Sequence, residues 1–85
     1  MTELTRVLYD YAFERQMHYY LDDETQYHES DIMSSRQYKD LQKLLTAEGQ
    51  QRLEDYIDET KVIHTLELEA MFRAGLSLGQ ELSRL

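Results

Sequence analysis

Cysteine, proline and tryptophan are missing from this chain of 85 residues, and glycine occurs only three times. Without Cys there is no disulfide, no thiolate zinc site, no iron–sulfur cluster and no cysteine nucleophile. Without Pro, no residue is obliged to break a helix. No apolar run approaches the ~18 residues that a membrane span needs, and the opening Met1-Thr2-Glu3-Leu4-Thr5-Arg6 lacks the apolar core of a signal peptide. A cytoplasmic protein with no membrane partner is expected, in keeping with the missing thiols. Positive charge is scarce too: 9 Lys and Arg face 17 Asp and Glu, a net charge of −8. Direct binding to a nucleic-acid backbone is therefore not expected.

What the chain does have is helix formers. Ala, Leu, Glu, Lys, Gln, Arg and Met dominate, β-branched residues are few, and thirteen Leu with nine aromatics give it something to bury. The expected class is all-α, a single helical domain of three helices at about 3–20, 23–45 and 47–84. Thr2 is placed to cap the first, with Thr5 three residues on. Leu4, Val7, Leu8 and Tyr11 give it an apolar stripe at helical spacing. Asp22 and Asp23 offer caps for the second helix. Ser30 and Asp31 offer a later start that would leave 22–30 as a loop, but no Gly or Pro interrupts the segment. Thr46 caps the third helix after a very tight turn, so helices two and three should form an antiparallel hairpin.

Length then becomes an argument. A compact monomer of this size buries about 64% of its unfolded surface, a marginal fraction. Helix two spans about 35 Å and helix three about 56 Å. With helices one and two both lying over roughly residues 47–70, the end of helix three, from Met71 to Leu85, overhangs. That end is apolar on more than one face. One stripe runs Leu53, Tyr56, Ile57, Thr60, Ile63, Ala70, Ala74, Leu78, Leu82, and another runs Leu68, Phe72, Gly75, Leu76, Gly79. An uncovered apolar end calls for a cover, and the simplest is the same segment of a second copy. The expected self-association surface is Leu68, Met71, Phe72, Gly75, Leu76, Leu78, Gly79, Leu82 and Leu85, giving a homodimer or higher homo-oligomer. Gly75 and Gly79, four apart, would seat a helix or ring closely; packing within the chain is the other reading.

Catalytic and metal constellations are thin. The residues three before His18, His28 and His64 are Arg15, Thr25 and Lys61, so the Glu-x-x-His pairs of di-iron bundles are absent. His64 and Glu67 make one helical pair without a second, and Glu67 has no catalytic companion. None of the serines stands in a Gly-x-Ser-x-Gly setting. No enzyme activity, catalytic residue, cofactor or metal is expected. The run from Asp22 to Asp31 carries Asp22, Asp23, Glu24, Glu29 and Asp31 with no Lys or Arg. It lacks the Gly and the spacing of a calcium loop. It reads as a solvated face or, more sharply, as an acidic face that binds a protein partner, mimicking nucleic acid to inhibit a basic nucleic-acid-binding protein. Of the seven tyrosines, Tyr11, Tyr38 and Tyr56 are expected to pack between helices, and Tyr19 and Tyr20 are left unassigned.

Three stretches carry a resemblance. Leu45-Thr46-Ala47-Glu48, Leu53-Glu54-Asp55-Tyr56-Ile57-Asp58 and the span from Glu67 to Gly79, with Glu69, Phe72, Gly75 and Gly79 as its most specific positions, resemble a family of short uncharacterised bacterial proteins common in gut Firmicutes. The likeness covers the second half well and the first half, around Leu8-Tyr9, loosely. It implies a small helical protein and no particular activity. Together these readings describe a non-enzymatic interaction or adaptor protein, with the acidic inhibitor as the alternative.

Overall fold

Hydroxyl caps start two of the helices in the computed structural model, which describes all 85 residues. Thr2 accepts the Thr5 backbone N–H at 3.2 Å and opens α1 (Glu3–Tyr11). A π-helical turn (Ala12–Gln16) and α2 (Met17–Leu21) continue it, so residues 3–21 form one rod. α3 (Thr25–Leu44) and α4 (Ala47–Leu82) follow. The class is all-α with three rods and no strand.

The first junction differs from the expected one. Asp22 and Asp23 form the turn rather than capping α3; the cap position falls to Glu24, whose side chain makes no capping bond. The turn is closed by Glu24 N–H donating to the Leu21 carbonyl and by the His28 ring lying 3.1 Å from the Asp22 carbonyl. The second junction is as tight as expected. Thr46 accepts the Gly49 N–H at 3.1 Å, and the Gln50 amide reaches back to the Gln42 carbonyl at 2.9 Å. One side chain of α4 thus satisfies a carbonyl left open at the end of α3. A Cβ at Gly49 would come within 3.3 Å of Leu45, so glycine lets the two rods turn this closely.

The π turn has a cause in the sequence. Thr5, Tyr9, Phe13, Met17 and Leu21 recur every four residues. A row spaced by four drifts about 40° per step around an α-helix of 3.6 residues per turn, so a straight helix could not hold all five against one neighbour. Bonds five residues apart widen the turn; the Met17 N–H donates to the Ala12 carbonyl. The widened turn offsets part of the drift. Thr5, Met17 and Leu21 are half-buried and Tyr9 is buried, while the stripe Leu4, Val7, Leu8 and Tyr11 faces solvent. The regular stripe was expected to pack, and the row spaced by four packs instead.

The register of the N-terminal rod also departs from expectation. Expected antiparallel to helix two over about residues 47–70, it runs antiparallel to α4 instead: Thr5 lines a hollow with Leu76 and Gln80, and Leu21 one with Thr60 and His64. The Arg6 guanidinium donates to Glu69 at 2.9 Å, and the Tyr9 ring meets Phe72 edge-on at 5.5 Å. Arg6 also lies over the Tyr9 ring, 5.5 Å from its centre. Rod one therefore covers Leu68, Phe72 and Leu76, which are half-buried, and the overhang is shorter than the helix lengths alone implied. Near the corner between α3 and α4, Leu45, Leu53 and Ile57 are half-buried.

Little is enclosed by this arrangement. Tyr9, at 8% exposure, is the one buried residue. The radius of gyration is 17.5 Å, against about 12 Å for a compact domain of this length. Accessible surface is 7619 Å², against about 5,300 Å² for a compact monomer. The molecule measures 57 × 29 × 18 Å, and α4 is its long axis.

Candidate interaction surface

α4 carries an apolar row that no other rod touches. Met71, Leu78 and Leu82 are 71%, 60% and 67% exposed, and Leu85 is fully open. A Cβ placed on Gly75 or Gly79 would meet nothing within 4 Å. Neither glycine seats a ring or helix from this chain, so the intramolecular reading of that pair fails. The expected self-association surface is thus divided in two. Leu68, Phe72 and Leu76 face the N-terminal rod, and Met71, Gly75, Leu78, Gly79, Leu82 and Leu85 remain open.

Below this bare row lies a groove. The N-terminal rod leaves α4 obliquely, and α3 begins beyond it. Between them is an open trough of about 990 Å³. Phe13, Met17 and Leu21 form one wall, Tyr27 the other, and Thr60 and His64 of α4 its floor. Its lining is mainly apolar and also includes Lys61 and Glu67. The groove went unpredicted because it depends on the π turn and on the altered register. The spacing by four that produces both was present in the sequence and was masked by the more regular stripe beside it.

Charge gathers less than the acidic run promised. Asp22, Asp23 and Glu24 share the turn. Glu29 and Asp31 stand on α3, two residues and so about 200° apart around the helix. The five therefore form no single acidic face. No group of three or more His, Asp or Glu side chains comes close enough to hold a metal ion. Arg6 has its pKa raised, chiefly by its hydrogen bond to Glu69 and further by the Glu69 and Asp10 charges, with desolvation acting the other way. Among the tyrosines, Tyr38 is half-buried as expected, but Tyr11 and Tyr56 are exposed. Tyr9, not singled out from sequence, is the anchor.

A model for a family of unknown function, DUF6809, matches residues 1–83. The chain belongs to the DUF6809 family. The match runs through all three rods, so the family pattern includes the N-terminal rod as well as the C-terminal half where the resemblance was plainest. No curated protein and no solved structure matches this DUF6809 chain. No helix of the family member is long and apolar enough to cross a membrane.

Proposed function

We propose that this DUF6809 protein is a non-enzymatic helical interaction protein that self-associates through the C-terminal half of α4. The observation that carries the reading is the bare row of Met71, Leu78 and Leu82, a face of α4 that the other elements leave open. What the molecule offers a partner is apolar area rather than reactive groups. Its surface of 7619 Å² exceeds that of a compact monomer by about 2,300 Å². A stable interface requires only about 800 Å² from each partner. Covering one Leu or Met contributes about 1.5–3 kcal/mol, and a dimer covers the row of three in both chains, about 9–18 kcal/mol in all against an association cost of about 4–15 kcal/mol.

Sedimentation equilibrium tests the reading. A dimer or larger assembly is expected at micromolar concentration, and Leu78→Asp is expected to return it to monomer with its helical circular dichroism retained. A wild-type protein that sediments as a monomer throughout that range would overturn the proposal.

A further inference from the structure

The bare row and the groove belong to one face of one helix. His64, Met71 and Leu78 recur at intervals of seven along α4. Seven residues fall about 20° short of two full turns, so these positions stay in one sector of the rod. The groove is floored by Thr60 and His64. The ridge is Leu78 with Leu82, both exposed. Fourteen residues separate His64 from Leu78, about 21 Å along the axis, and Met71 stands midway.

A second copy of the chain carries both the ridge and the groove, so one contact with it fills both. A two-fold interface is self-complementary: where residue i meets residue j, j also meets i. If two α4 helices lie antiparallel with the axis at Met71, Leu78 falls on the partner's His64 and Leu82 on the partner's Thr60. Each ridge enters the other chain's groove, and Met71 meets its own copy. The match uses the bare row and the groove at once, with one axis and no rearrangement of the rods. It also places the ridge leucines against Phe13, Met17 and Leu21, the apolar wall that this chain leaves half open.

Resting on the self-association reading above, we infer that the α4 ridge of one chain docks in the groove between the N-terminal rod, α3 and α4 of a second copy, in an antiparallel two-fold dimer centred on Met71. The groove is thus half of a homotypic interface, and the N-terminal rod, not α4 alone, supplies its wall.

The absence of native cysteine makes the test clean. Met71→Cys should form a disulfide dimer about ten times faster than the exposed control Gln37→Cys, because each thiol is held beside its own copy. An equimolar mixture of His64→Cys and Leu78→Cys chains should give the mixed disulfide in preference to either self-linked product. Rapid self-linking of Leu78→Cys or Leu85→Cys, with no mixed product, would overturn the inference and leave self-association standing, since it requires the ridges to pair with each other. A monomer by sedimentation would remove both readings. All five positions are exposed, and circular dichroism of each variant checks that its helices are intact.

Discussion

Replacing Tyr9 by Ala should release the N-terminal rod while leaving the α3–α4 hairpin formed. Tyr9 is the one buried side chain. It stacks beside Phe13 at 6.0 Å and meets Phe72 edge-on at 5.5 Å. An aromatic side chain covers about 150–250 Å², and truncating one in a core costs about 3–5 kcal/mol. The site is a seam between two rods and can relax, so the lower end, about 3 kcal/mol, applies. A chain of this size rarely holds more than about 3–5 kcal/mol in its core, so the substitution removes most of what keeps the rod docked. The assay is amide hydrogen exchange. Protection in residues 3–21 should fall about a hundredfold, since each 1.4 kcal/mol is a factor of about ten, and protection in the first turns of α4 should change little. Tyr9→Phe keeps the ring and should stay within about 0.5 kcal/mol of wild type. A cycle combining Tyr9→Ala with Phe72→Ala should give a coupling of about 1 kcal/mol. Equal loss of protection along the whole chain, or no loss, would refute the view that a single aromatic seam attaches the rod.

Three further outcomes follow from the geometry. Thr46→Ala removes the cap on α4 and should cost about 1 kcal/mol in urea denaturation, while Thr46→Ser should recover most of it. Gly79→Ala adds a Cβ that meets nothing within 4 Å, so the helix-propensity gain of about 1 kcal/mol should appear as a higher Tm under dissociating conditions. Because each chain carries −8, added salt should screen repulsion between copies and tighten self-association measured by sedimentation. Binding of an acidic face to a basic protein would instead weaken with salt, so this titration separates the two functions weighed from the sequence.

Sequence alone carried the helical class, both hydroxyl caps and the tight corner at Leu45–Thr46, because each depends on residues within one turn of each other. It also marked Met71, Leu78 and Leu82 as apolar excess on α4. What it missed is the face presented by the N-terminal rod. Leu4, Val7, Leu8 and Tyr11 fit the helical period better than the row from Thr5 to Leu21, and hydrophobicity favours them. The choice between the two faces rests on fit against α4, where Arg6 finds Glu69 and Tyr9 finds Phe72 across 63 positions of sequence. No local pattern encodes that register. Once it shifts, rod one covers Leu68, Phe72 and Leu76, and a groove opens where none was foreseen.

A chain that carries a ridge and a matching groove at separate places on one rod has two ways to assemble. Around a two-fold axis both are used up in a pair, and growth stops. With the helices parallel instead, each chain's ridge enters one neighbour's groove while its own groove takes the next chain's ridge, and the contact repeats into a filament. The antiparallel orientation, which puts a two-fold axis at Met71, is what closes the pair. A one-heptad insertion after Met71 moves that axis along α4 without removing it, so the pair should stay finite.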